Sequence, residues 1–250
     1  MPDLQTVEVV FSPKLYEHKL THRNFIAVVV DILRASTSIC AGMENGVKEI
    51  IPVSGLEEAL AHKNNDCLIA CERNGHQVDF ADMGNSASEF LSPKVKGKRI
   101  VFSTTNGTKI IHMARDADLI AVGAFINLEA LTQWLIQRGK NVVIFCAAWK
   151  NLFNLEDSIF AGALADGLLS NGGFTTQCDS TLGAIDLWHV ARQDLESYLS
   201  RASHRTRLKH LVSDSDFRYT LQLNSSSIVP VVVDNRIVPA SHANSKMNPQ

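Results

Sequence analysis

The sequence predicts an α/β fold, a three-layer α/β/α arrangement around a mostly parallel or mixed central sheet. Three observations carry this. Short β-branched runs alternate with helix-periodic stretches through residue 169, the pattern of strand–helix–strand units. Polar clusters fall just beyond the ends of those runs, where open α/β sheets bind ligands. The 250 residues suffice for one large domain, and 45% hydrophobic with 20% charged residues is ordinary globular composition.

Taken in order, residues 6–12 (TVEVVFS) read as a first strand, followed by a polar stretch at 14–23 with His18 and His22. Residues 26–30 (IAVVV) are a buried strand. They lead through Asp31 and Arg34 into a helix over 35–45, which Asn45-Gly46 ends because both residues tolerate positive φ. Residues 47–53 form a third strand and 56–62 a short helix. Residues 66–71 form a fourth strand running into Glu72-Arg73-Asn74-Gly75. Gly84-Asn85-Ser86 is a turn before a short helix at 87–91. Strands follow at 98–103, 118–122 and 141–147, with helices at 109–115 and 128–137 and one opened by Asn154-Leu155-Glu156-Asp157 and running to Leu169. Residues 170–179, with Asn171-Gly172-Gly173, are the candidate hinge or boundary, 184–212 read as helical and 228–233 as a last strand. One domain over 1–240 with a tail lacking fixed structure at 241–250 is the expected organisation.

A net charge of −2 gives no basis for a nucleic-acid or membrane-surface partner. No run of about 18 apolar residues marks a membrane span, and the first residues lack the basic and apolar regions of a signal peptide. The five cysteines are odd in number and scattered, which reads as free thiols in a reducing cytoplasm rather than a disulfide framework or zinc site.

Four clusters carry the candidate chemistry. The first is Asp31, Arg34, Ser36 and Thr37; the second Glu72 and Arg73; the third Thr104, Thr105, Asn106, Gly107 and Thr108; the fourth Glu156 and Asp157. Converging carboxylates repel unless a divalent cation joins them, and all-oxygen ligands favour magnesium or manganese over zinc. Asp31, Glu72, Glu156 and Asp157 are therefore the metal-ligand candidates. Arg34 and Arg73 suit anionic oxygens, and Ser36, Thr37, Asn85, Ser86 and the 104–108 segment suit a phosphate or sulfonate. Each residue alone is as well explained by a turn, a helix cap or a surface charge. The spacing C-x5-R from Cys67 to Arg73 lacks a glycine-rich phosphate loop, and Leu33 stands where a second phosphatase aspartate would be needed. Among the late histidines, His189, His204 and His210, one could serve as a general acid.

Together Val30-Asp31-Ile-Leu-Arg34-Ala-Ser36-Thr37, Glu72-Arg73, Gly84-Asn85-Ser86, Thr104-Thr105-Asn106-Gly107-Thr108 and Leu155-Glu156-Asp157 resemble the motifs of the 2-phosphosulfolactate phosphatase family, from about residue 5 to 239. The resemblance implies a magnesium-dependent acid phosphatase that hydrolyses (R)-2-phospho-3-sulfolactate to sulfolactate and phosphate, a step in coenzyme M biosynthesis. It implies catalytic roles for Asp31, Arg34, Glu72 and Arg73, with Asp31 either a metal ligand or a nucleophile. The implied partner is a small anionic phosphoester, and a homodimer is the assembly considered. One departure stands out: the family's glycine-rich segment before Leu-Glu-Asp is here Ala147-Ala148-Trp149-Lys150-Asn151.

Overall fold

The structure is a computed structural model that describes residues 4–16, 24–63, 65–105 and 107–247. Most of the polar stretch at 14–23, including His18 and His22, lies outside the described residues. The strands are β1 (Gln5–Val10), β2 (Phe25–Val30), β3 (Glu49–Pro52), β4 (Leu68–Arg73), β5 (His76–Gln77), β6 (Arg99–Ser103), β7 (Leu119–Gly123), β8 (Asn141–Cys146), β9 (Phe174–Thr175), β10 (Pro230–Val233) and β11 (Arg236–Pro239). The helices are α1 (Pro13–Tyr16), α2 (Ala35–Glu44), α3 (Leu56–Ala61), α4 (Ala87–Phe90), α5 (Gly107–Met113), α6 (Leu128–Arg138), α7 (Leu155–Ser170), α8 (Asp179–Ala191), α9 (Leu195–Ser200), α10 (Ser203–Arg207), α11 (Asp214–Thr220) and α12 (Ala240–Met247).

The described strands form one sheet in the order β5-β4-β6-β3-β11-β10-β7-β2-β8-β1-β9. Strand β2 is buried at all six positions, as a strand covered by helices on both faces must be. Helix α7 is apolar nearly all round apart from its first turn, and it is buried between the sheet and α8. The α7–α8 crossing is close because position 162 is glycine: a Cβ there would stand 1.9 Å from the Ala184 carbonyl oxygen.

The sheet is mixed, and the reason lies near the carboxyl terminus. The sequence pattern shows one late strand, yet β10 and β11 form a hairpin whose turn residues Asp234 and Asn235 have φ of 49° and 59°. Two left-handed residues in a two-residue loop match a type I′ turn. The hairpin sits mid-sheet, antiparallel to β7 on one side and to β3 on the other. Three antiparallel steps reverse the strand sense between two parallel blocks, β4-β6-β3 and β7-β2-β8-β1-β9. The expected single edge of aligned carboxyl ends is thus absent. The two blocks nevertheless meet at the site, where Arg34 after β2 bonds the Gly75 carbonyl after β4.

Two further expectations are corrected. The segment at 170–179 carries β9, paired in parallel with β1, which knits it into the sheet instead of making a hinge. The helical run at 184–212 is divided among α8, α9 and α10. Helix α12 spans Ala240–Met247.

Candidate active site

A narrow cleft opens where the loops after β2, β4, β6 and β8 meet α10. Asp31, Arg34, Glu72, Asn85, Thr105 and His204 supply its polar wall, and Leu33, Trp149 and Leu208 its apolar one.

The loop after β2 is fixed locally. The Asp31 N–H donates to Ser36 Oγ at 3.1 Å and the Thr37 hydroxyl to the Ile32 carbonyl at 2.9 Å. Both hydroxyls are buried, so Ser36 and Thr37 shape the turn rather than meet a ligand. The Asp31 carboxylate accepts the Ala35 N–H. Its pKa is pushed up to about 6, first by burial, then by the Glu72 and Glu156 charges, against the opposing pull of His204 and that N–H. Position 107 admits only glycine here, since a Cβ would come within 2.6 Å of the Ala35 Cβ and 3.1 Å of Asp31 Oδ2.

Arg34 reaches across to the other parallel block and donates to the Gly75 carbonyl at 2.7 Å. Burial lowers its pKa, while Glu72 and Asp31 oppose the shift; a guanidinium stays charged regardless. Glu72 lies within the β4–β5 hairpin, whose tip Asn74-Gly75 has positive φ at both residues. Its oxygens accept the Thr105 N–H at 2.7 Å and the Gly75 N–H at 2.6 Å. The Thr105 amide is therefore committed to Glu72 rather than presented to a phosphate. Arg73 is turned into the sheet, donating to the Glu72 and Ser103 carbonyls and to Ser103 Oγ, and does not line the cleft. Thr104 is buried; Asn106 and the Thr108 side chain lie outside the described residues.

The turn at Gly84-Asn85-Ser86 serves α4: Glu89 accepts from the Gly84 and Ser86 N–H groups and from the Ser86 hydroxyl. Asn85 alone faces the cleft, with Oδ1 buried and unpartnered among the described residues.

Glu156 and Asp157, 1% exposed, sit behind the lining residues. Asp157 Oδ1 accepts the Ile32 N–H at 2.9 Å and Oδ2 the Ala148 N–H at 3.3 Å, tying the loops after β2 and β8 to α7. Burial, then the Glu156 and Asp31 charges, raise its pKa well above the usual carboxylate range. Glu156 Oε1 meets His204 Nδ1 at 2.5 Å. Among the described residues no three His, Cys, Asp or Glu side chains are grouped so as to hold a metal ion. The four carboxylates are not grouped as one cage: Asp157 accepts the Ile32 and Ala148 N–H groups, and Glu156 Oε1 meets His204 while its Oε2 is buried without a partner among the described residues.

A model of the 2-phosphosulpholactate phosphatase family matches residues 10–235. The chain belongs to this family. It is 34% identical over 231 residues to a probable 2-phosphosulfolactate phosphatase of Caldanaerobacter subterraneus subsp. tengcongensis, covering 91% of this chain and 94% of the relative. A protein of the same name from Thermotoga petrophila is 33% identical over 208 residues, 83% of this chain and 89% of its own length.

Of the residues that carried the family resemblance, the structure gathers Asp31, Arg34, Glu72, Asn85 and Thr105 around the cleft and gives Ser36, Thr37, Arg73, Ser86 and Asp157 bonds that hold its walls. Of the cleft residues outside the selected set, two carry rings, Trp149 and His204. Three neighbours of Trp149, Ala148, Lys150 and Asn151, take φ of 53° to 64°. That left-handed backbone would be relaxed by glycine. His204 was one of several late histidines, and nothing local distinguished it. No helix among the described residues is long and apolar enough to cross a membrane.

Proposed function

We propose that this cleft hydrolyses 2-phospho-3-sulfolactate to sulfolactate and phosphate with the help of Mg²⁺. Family membership and the relatives' names supply the reaction class. The observation that carries the reading is the meeting of carboxylates with a guanidinium and an imidazole in one cleft: Asp31 and Glu72 beside Arg34 and His204. Acidic groups exceed cationic ones around Asp31, so a phosphate dianion entering alone would be repelled. A divalent cation reverses that balance. Mg²⁺ is commonly bound through one or two carboxylates together with waters and substrate phosphate, a demand that Asp31 and Glu72 would meet through the lone pairs their N–H bonds leave free. When bound, Mg²⁺ polarises a phosphoryl oxygen and offsets charge there. The chain's own residues do the rest. Arg34 clamps anionic oxygens from a fixed position, Asn85 offers an amide, and Leu33, Trp149 and Leu208 limit the water that shares the cleft. The five free thiols favour a reducing, cytoplasmic setting, and the product alcohol would serve coenzyme M synthesis where that coenzyme is made.

The Trp149 loop supports a second ester as substrate. With an indole in the wall and Lys150 and Arg207 cations within 5.8 Å and 5.4 Å of its ring, the mouth favours an anionic substituent beyond the phosphate. Phosphate release from a panel of sulfonated and carboxylated phosphoesters, with Mg²⁺ or with EDTA, tests the reading. Metal-dependent turnover of 2-phospho-3-sulfolactate is expected, and inertness toward every ester in the panel would sink it.

A further inference from the structure

Resting on that phosphatase reading, we propose that His204 is the catalytic general acid that protonates the leaving alkoxide, held in place by Glu156.

The pair is built from two distant parts of the chain. Glu156 stands in the first turn of buried α7, and His204 on α10 is 48 residues away in sequence. Both are buried, with side chains 1% and 6% exposed, and Nδ1 to Oε1 is 2.5 Å. A carboxylate only accepts, so the Nδ1 proton is committed to Glu156 and the ring orientation is fixed. Glu156 lies behind the lining residues while His204 is one of them, which leaves the Nε2 edge for the cleft. The Trp149 ring packs 5.6 Å from the imidazole at 40°, closing one side of it.

A purely structural role explains this poorly. A buried polar pair is weak as a source of stability, and here it stands at the wall of the cleft with one ring nitrogen lacking a partner among the described residues. The rival donors in the wall fit the task less well. A guanidinium does not give up its proton, and the Thr105 hydroxyl bonds to Glu72 and to the Asn74 N–H. Asp31 is assigned with Glu72 to the metal in that reading.

The substrate class requires such an acid. The departing group is the alkoxide of a 2-hydroxy acid, a poor leaving group. As water oxygen forms the new P–O bond, the ester P–O bond breaks and its electron pair goes to the ester oxygen. The Nε2 proton of protonated His204 moves to that oxygen and yields a neutral alcohol. The proton lost by the attacking water goes to solvent, from which Nε2 is reprotonated.

The test compares two esters of one shape, 2-phospholactate and its 3,3,3-trifluoro analogue, whose fluorines make the alkoxide a far better leaving group. An acid that protonates the leaving oxygen flattens this difference. Wild type should turn over the two with kcat within about threefold, and His204→Gln should lose about 10²- to 10⁴-fold on 2-phospholactate while recovering at least about tenfold on the fluorinated ester. Equal losses on both esters, or no loss, would overturn the assignment. Should His204→Gln fail to fold, wild type decides alone: a rate gain above about tenfold on fluorination means the leaving oxygen departs unprotonated and refutes the proposal. A wild type inactive on 2-phospholactate and 2-phospho-3-sulfolactate alike refutes the phosphatase reading, and this role with it, a result distinct from a variant that fails beside an active parent.

Discussion

Replacing Asp31 by Asn should stabilise the protein at neutral and alkaline pH. The Asp31 carboxyl is pushed up to about 6 from an ordinary 3.8, burial being the largest cause. That spans about two pH decades at 1.36 kcal/mol each, or roughly 3 kcal/mol. The folded state holds the proton more tightly than the unfolded one, so it carries more protons between about pH 4 and 6. Stability is therefore lost as pH rises through that window, and the full cost is present above it. Asparagine keeps an oxygen for the Ala35 N–H and removes the titration. In EDTA at pH 8 the variant should melt about 6–12 °C above wild type, and the gap should close toward pH 4. Thermal unfolding by circular dichroism at pH 4, 6 and 8 reads this directly. A variant that melts no higher than wild type at pH 8, or a gap that does not change with pH, would refute the placement of Asp31 in a half-buried, electronegative site.

Other substitutions probe the frame around it. Gly162→Ala drives a Cβ into the Ala184 carbonyl, and a cost of about 1–3 kcal/mol or more should appear as a lower melting temperature. Asp157→Ala leaves the Ile32 and Ala148 N–H groups without their acceptor, at about 1–3 kcal/mol each, and should lower both denaturant midpoint and turnover because the loops after β2 and β8 come loose together. Lys150→Gly relieves a left-handed residue on an exposed loop and should raise stability by about 1 kcal/mol, visible as a small upward shift in melting temperature. Burial pushes the Cys40 and Cys146 thiols up, so a thiol reagent such as DTNB should leave both unmodified in the native protein and label them only after unfolding.

The fold was largely legible because its strongest signals are local. Val28, Val29 and Val30 announce a buried strand, and the apolar run from Ile159 to Leu169 announces a buried helix. The β10–β11 hairpin was missed because Asp234-Asn235 lacks the glycine that usually betrays a type I′ turn, and its mid-sheet insertion depends on pairing with β7 and β3, which no local pattern reports. The site was legible where a residue type is costly unless used: Asp31, Glu72 and Arg34 share one cleft. It was illegible where burial changes a residue's task. Thr37, Arg73 and Asp157 carry family motifs yet spend their polar atoms on backbone groups, and sequence does not reveal which way a side chain turns. His204 became visible only once a fold had brought α10 against Glu156.

The most direct test of the central claim is steady-state phosphate release from (R)-2-phospho-3-sulfolactate by wild type and by Asp31→Asn, each with Mg²⁺ and with EDTA. Metal-dependent turnover by wild type is predicted, lost in EDTA and lowered at least about a hundredfold in a variant that melts higher than its parent at pH 8. Full turnover by Asp31→Asn, or turnover by wild type that EDTA leaves untouched, would contradict the account.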